Sequence, residues 1–257
     1  MRRPTALASV PAIVLALGLP FAAPPAGALD LSDLDPEARA AFGAQVRAYL
    51  LENPEVLLEV IAVLEERQAT AQAQDDAQLI AVNAEALFDN PHSWVGGNPD
   101  GDVTLVEFVD YNCGFCRRAF PEVMEVADFD PGVRLVMKEL PILGAESEIA
   151  SRFAIAVLQT EGPDAYAEAH ESLMQAEGRV GAAAVAQIGG QMGLDMDALA
   201  ERMDSAEVSA VIDANRALAQ RLRIEGTPTF VLPDRMLRGY VPLTALLDAV
   251  DDVRAGG

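Results

Sequence analysis

Val103-Thr104-Leu105-Val106-Glu107-Phe108-Val109 is a run of strand-forming residues, and four positions beyond it comes Cys113-Gly114-Phe115-Cys116. An apolar run of this length, bounded by polar and turn residues, reads as a buried strand. Arg117 to Ala127 continues as a helix, so the cysteine pair sits where a strand turns into a helix. Val133 to Leu140 (VRLVMKEL) reads as a second strand and Ser147 to Leu158 as a second helix. Strand–helix–strand–helix order predicts an α/β fold.

A C-x-x-C that opens a helix suits disulfide exchange. The first cysteine meets the unpaired amides and the dipole of the helix N-terminus, which favour thiolate over thiol. The second, three residues on, shares its face and can close a disulfide. Cys113 is therefore read as the attacking nucleophile and Cys116 as the thiol that resolves the mixed disulfide. Other readings compete. A structural disulfide across so short a loop would stabilise by only about 2 kcal/mol. A zinc site needs about four ligands, and beyond the pair the chain supplies only His92 and His170. A cysteine hydrolase recruiting His170 would risk trapping its nucleophile as a disulfide. Copper held by the two thiols and methionines stays open, although the methionines recur at helical spacings that suit a core.

Outward from this centre, the chain begins with Arg2 and Arg3, an apolar stretch through Ile13, Leu15 and Phe21, and Ala26-Gly27-Ala28. That pattern predicts a signal peptide over 1–28, because Pro11, Pro20, Pro24 and Pro25 interrupt any membrane-spanning length. Cleavage would take the formal charge from −22 to −24 by removing the two arginines. Such acidity argues against nucleic acid and anionic lipid as partners. Residues 29–90 read as a helical arm. Phe42, Val46, Tyr49 and Leu50 recur at helical spacing, then Asn53-Pro54 is read as an N-cap and first helical residue. Val56, Leu57, Val60, Ile61 and Leu64 form a second stripe before a polar stretch reaches Asp76. A helix unbroken from Pro54 to Asp89 would be roughly 54 Å long, so either it projects or it contains a break; the segment is then an appendage to the main domain or folds back over it as cover.

Gly96 to Asp102 reads as a linker and turn. A calcium loop starting at Asn98 would need Gly where Val103 stands and Glu where Val109 stands. The region Pro163 to Arg223 reads as helix interrupted at Gly178, Gly181, Gly189-Gly190 and Gly193. Thr229 to Leu232, a turn at Pro233-Asp234, and Met236 to Tyr240 form a hairpin pattern. Pro242 opens a last amphipathic helix.

The run from Val106 to Cys116 resembles the active site of the DsbA family of thiol:disulfide oxidoreductases, and Gly226-Thr227-Pro228-Thr229-Phe230 resembles its cis-proline loop. The likeness spans roughly Asp102 to Val250. With the helices before it, the chain is most similar to ScsC-type and related DsbA-like proteins. This resemblance implies a thioredoxin fold with a helical insertion over about 145–223, an N-terminal helical arm, and a catalytic domain over 91–257. It implies Cys113 and Cys116 as the redox pair, with Glu107 as a buried acid moving the proton of the second thiol. It also implies Pro228 as a cis-proline, preceded by Thr227, whose backbone meets the substrate chain. One departure stands out. The best-known DsbA proteins carry Pro-His between the cysteines, and here the pair is Gly114-Phe115. Gly-aromatic dipeptides and Thr before the proline are more like the isomerases of the superfamily. Arg117 and Arg118 are candidates to restore some thiolate stabilisation.

The expectation is an exported, periplasmic enzyme that forms or exchanges disulfides in other exported proteins, reoxidised by a membrane redox partner. No cofactor and no metal are expected. The alternatives are an oligomeric disulfide isomerase or reductase, assembled through residues 29–90 into a homo-oligomer, and a copper-binding or adaptor protein using the thiols as ligands.

Overall fold

Apolar residues at both odd and even positions of one strand imply a sheet covered on both sides. That is what the computed structural model shows. It describes residues 35–256, so the leader read over 1–28 lies outside the described residues. The sheet orders β1 (Trp94–Gly97), β3 (Val133–Glu139), β2 (Val103–Val109), β4 (Thr229–Val231) and β5 (Met236–Arg238) side by side. β2 and β3 run parallel, joined by α4 (Gly114–Phe129), while β1, β4 and β5 pair antiparallel to their neighbours. β2 has a strand on each side and only Thr104 incompletely buried. Between β3 and β4 come five helices, α5 (Ala145–Glu161), α6 (Pro163–Gln175), α7 (Ala182–Gln191), α8 (Met196–Met203) and α9 (Ala206–Arg221). α10 (Leu243–Gly256) follows the hairpin. This is a thioredoxin-like fold with a helical insertion.

The two sheet faces have separate cores. Val103, Leu105, Val109, Leu135, Met137 and Phe230 pack with α4, the insertion and α10. Val106, Phe108, Val136 and Val231 pack with Ile80, Leu87, Leu218 and Leu222.

The helices before the sheet are α1 (Pro36–Glu52), α2 (Glu55–Val82) and α3 (Ala84–Phe88), and contacts divide the chain into two units after Ile61. In the first unit Asp35 caps α1, its carboxylate accepting the Ala38 amide at 2.8 Å, with Pro36 in the first turn. α1 contains no buried residue. Asn53 does not cap the second helix as expected. Its side chain donates to the Tyr49 carbonyl at 2.9 Å and so closes α1, and the next helix starts at Glu55. In the second unit the long helix does break. Asn83 donates to the Leu79 carbonyl at 2.8 Å, and the chain re-enters helix for five residues as α3. Ile80 and Leu87 are fully buried against the sheet, so the end of α2 from Asp76 onward and α3 cover the second face, while residues 62–75 are exposed.

Two glycine readings are corrected. Gly96 and Gly97 are not a linker; they belong to edge strand β1, where the Trp94 indole lies over Gly96 in the space a Cβ would need. Gly189-Gly190 does not interrupt the helix but lies inside α7, with the Met196 sulfur occupying the place of a Gly189 side chain.

Candidate redox site

Cys113 is the N-cap of α4, and its amide donates to the Asp110 carbonyl at 3.0 Å. The sulfur therefore faces the unpaired amides of the first helical turn. Its pKa falls to about 5. A hydrogen bond from the Cys116 thiol is the largest influence; the amides of Cys116 and Phe115 and the Thr227 side chain add to it, and burial opposes them. Cys116 is fully buried, and burial, its bond to Cys113 and the charge of Glu107 push its pKa well upward. Both cysteines are free thiols. One sulfur is poised as thiolate and the other held protonated.

The Cys113 thiol donates to the Thr227 carbonyl at 3.1 Å, bringing together two segments 114 residues apart. The Thr227–Pro228 peptide is cis. The Thr227 hydroxyl is buried without a protein partner in this thiol form, a donor for the thiolate when it forms. Glu107 lies on β2 opposite Phe230 of β4 and beside Met137 of β3, facing α4. It is 2 % exposed, and one of its carboxylate oxygens has no partner. Burial first, then the Cys113 charge, raise its pKa to about 8. The structure thus gathers Cys113, Cys116, Glu107, Thr227 and Pro228 at one end of β2 and β4.

The arginines play a different part from the one expected. Arg117 directs its donors to the carbonyls of Tyr111 (2.7 Å), Ala176 and Gly178 (2.8 Å each). Arg118 lies over the Tyr240 ring, 4.2 Å from its centroid. Neither is among the leading influences on the Cys113 sulfur. His170 is not a catalytic partner either. Its Nδ1 bonds the Tyr111 hydroxyl at 2.9 Å, and its ring stacks on Tyr166. Burial lowers its pKa to about 3, so the ring is neutral. Tyr166 in turn donates to buried Glu139. Among the described residues no group of three or more Cys, His, Asp or Glu gathers as a metal site.

Residues between the strand and the cysteine were missed by the sequence reading. Asp110 is fully buried, and its carboxylate accepts the amides of Asn112 (2.8 Å), Ile142 (2.9 Å) and Leu143 (3.0 Å). Asn112 pairs with Val180. Apart from the Asn112 amide their partners lie in segments 30 or more residues away, so only the presence of Asp and Asn in a turn was visible.

Fold and site together define a thioredoxin-fold dithiol protein with a helical insertion. Residues 104–251, more than half the chain, match the DSBA-like thioredoxin domain, and the chain belongs to that family. Residues 39–71 match the copper resistance protein ScsC N-terminal domain. A thioredoxin-like oxidoreductase from Silicibacter pomeroyi is 45% identical, covering 66% of this chain and 97% of that one with a TM-score of 0.63. ScsC of Proteus mirabilis in a transitional conformation is 29% identical, covering 88% of this chain and 99% of that one with a TM-score of 0.65. Na(+)/H(+) antiporter NhaA 1 of Salinispora arenicola is 28% identical over 168 residues, which is 63% of this chain and 25% of the antiporter. The chain thus spans about a quarter of the length of that curated relative.

Proposed function

We propose that this chain is an exported protein-disulfide oxidoreductase acting through Cys113 and Cys116. The supporting observation is the asymmetry of the two sulfurs, one at a helix N-terminus with a pKa of about 5 and the other buried and protonated. In the reducing direction the Cys113 thiolate attacks a substrate disulfide, forming a new S–S bond and releasing one substrate thiolate. Cys116 then gives its proton to Glu107 and attacks the Cys113 sulfur. The second substrate sulfur leaves as thiolate and takes up a proton, and the pair has become a disulfide. Oxidation of a substrate dithiol is the same sequence reversed. For net oxidation, a membrane redox partner would restore the disulfide in the pair. Thr227 would meet the substrate backbone beside Pro228. The test is trapping. Cys116→Ser should accumulate mixed disulfides with exported proteins, and Cys113→Ser should accumulate none. Trapping by the Cys113 variant instead would reverse the roles.

A second reading, an oligomeric isomerase or reductase, is favoured by the arm. Phe42, Val46, Tyr49, Leu57, Ile61 and Leu64 are all exposed, and an apolar stripe left in water favours pairing with a second copy of itself. The match of residues 39–71 to the ScsC N-terminal domain covers this stripe. Light scattering on the chain from residue 29 onward should give a multiple of the protomer mass. Removal of residues 29–61 should give a monomer that still oxidises model dithiols and has lost isomerase activity. A monomeric mass before truncation would remove this reading.

A further inference from the structure

The turn that presents Cys113 is held from both sides by the helical insertion. On one side Asp110 takes the amides of Ile142 and Leu143, just before α5. On the other, Arg117 bonds Ala176 and Gly178 in the loop between α6 and α7. The residue directly before Cys113 makes the closest contact of this kind. Asn112 Oδ1 accepts the Val180 amide at 2.7 Å, and its Nδ2 donates to the Val180 carbonyl at 3.1 Å. A weaker contact reaches Ser147 Oγ at 3.4 Å.

This is a main-chain pairing made by a side chain. An amide has an acceptor and a donor on adjacent atoms, so it matches both polar groups of one residue, as a neighbouring strand would. The orientation of the amide follows from chemistry, because Val180 N–H needs an acceptor and Val180 C=O a donor. Val180 is fully buried, so no solvent stands ready to replace Asn112. An aspartate in the same place has no donor, and a serine has one polar atom where two are needed.

We propose that Asn112 is a positioning residue that anchors the Cys113 turn to the insertion and so fixes the Cys113 sulfur between the first amides of α4 and the Thr227 segment. The inference rests on Cys113 being the nucleophile of the proposed exchange. Without the anchor the turn has one tether fewer, and the donors around the sulfur are no longer held at hydrogen-bond distance. The thiolate loses stabilisation, so its titration moves toward that of a free thiol.

The experiment is the pH profile of Cys113 alkylation by iodoacetamide in the intact reduced protein, with unfolding midpoints measured alongside. Cys116 is fully buried and held protonated, so the profile reports Cys113. For Asn112→Ala the midpoint should rise by about one pH unit, slowing alkylation roughly tenfold below both midpoints and leaving it unchanged above them. Asn112→Ser should fall between the alanine variant and wild type, and it decides the question if the alanine variant does not fold. Ser147→Ala should match wild type. A profile that superimposes on wild type while stability falls would overturn the proposal and leave Asn112 as a structural tie. Alkylation does not depend on exchange. A wild-type protein that alkylates normally but fails to exchange with glutathione disulfide would refute the functional reading and leave the Asn112 result interpretable.

Discussion

Glu107 and Phe108 are neighbours on β2, yet they face opposite sides of the sheet and opposite kinds of interior. The face that Glu107 joins holds Cys116 and Glu139, with Tyr111, Tyr166 and His170 in the same core. Polar atoms there are left unpaired, including one oxygen of Glu107 and Nε2 of His170. The face that Phe108 joins is lined by Val106, Val136, Leu218, Leu222, Ile80 and Leu87. Its buried charged groups have partners: Lys138, whose amine donates to Ser93 at 3.0 Å and whose pKa burial lowers to about 8, and Asp76, whose carboxylate accepts from Arg238 at 2.7 Å. Burying unpaired polar groups costs stability, and such costs are tolerated where they serve chemistry. The difference teaches that one side of this sheet gives partners to the charges it buries, while the other leaves ionisable groups unpaired in its interior.

The comparison breaks most visibly at Phe108. It is fully buried, and Phe108→Ala removes a large side chain from the second core. The expected loss is about 3–5 kcal/mol, read from urea midpoints. The Cys113 alkylation profile should stay within roughly twofold of wild type, since a local cavity on the far face leaves the α4 amides in place. A shifted profile would mean that the two faces are mechanically coupled and that the contrast is only one of composition.

The fold was largely legible because the signals for β2, β3, α4 and α5 are local. Val103 to Val109 is apolar at every position but Thr104 and Glu107, and the cysteine pair follows within a turn. What was not legible depended on distant partners. β1 was hidden because Gly96 looks like a turn until the Trp94 ring is seen above it. α7 looked broken at Gly189 because Met196, which fills the gap, lies in the next helix. The cover of the second face by Ile80 and Leu87 was one of two open alternatives, because a stripe in a helix does not reveal what it packs against. In the site, the cysteines and the cis-proline loop were visible through the family resemblance. Asp110, Asn112 and Arg117 were not, since their meaning lies in hydrogen bonds to residues 142, 143, 176, 178 and 180.

Glu107→Gln sharpens the contrast from the other face, with a smaller effect that depends on pH. The folded pKa of Glu107 is about 8 and its unfolded value 4.5, so between these values the folded state keeps a proton that the unfolded state has lost. Stability from this group is therefore fully present below pH 4.5 and is lost as pH rises through 8, by up to roughly 1.4 kcal/mol per unit within the window. Cys113 acts with the opposite sign in the reduced protein. Its folded pKa of about 5 lies below its unfolded 9, so it adds stability as pH rises across that range. The two trends offset each other in the dithiol, and closing the disulfide removes the thiol's share. Glu139, raised to about 7 by burial, and His170, lowered to about 3, titrate in wild type and variant alike. The decisive quantity is thus the stability difference between Glu107→Gln and wild type at pH 5 and pH 8, both in the disulfide form, where the Cys113 charge is gone and burial, the larger cause, still raises the Glu107 pKa. Glutamine keeps the shape and cannot ionise, so the variant should gain on wild type as pH rises, by about 1 kcal/mol or more over the interval. Disulfide exchange by the variant should slow by roughly tenfold or more, because the proton of Cys116 loses its acceptor. A constant stability difference across pH would mean that Glu107 is ionised in both states. Unchanged exchange kinetics would leave it a passive part of the strand, and the first face of the sheet would then differ from the second in polarity alone.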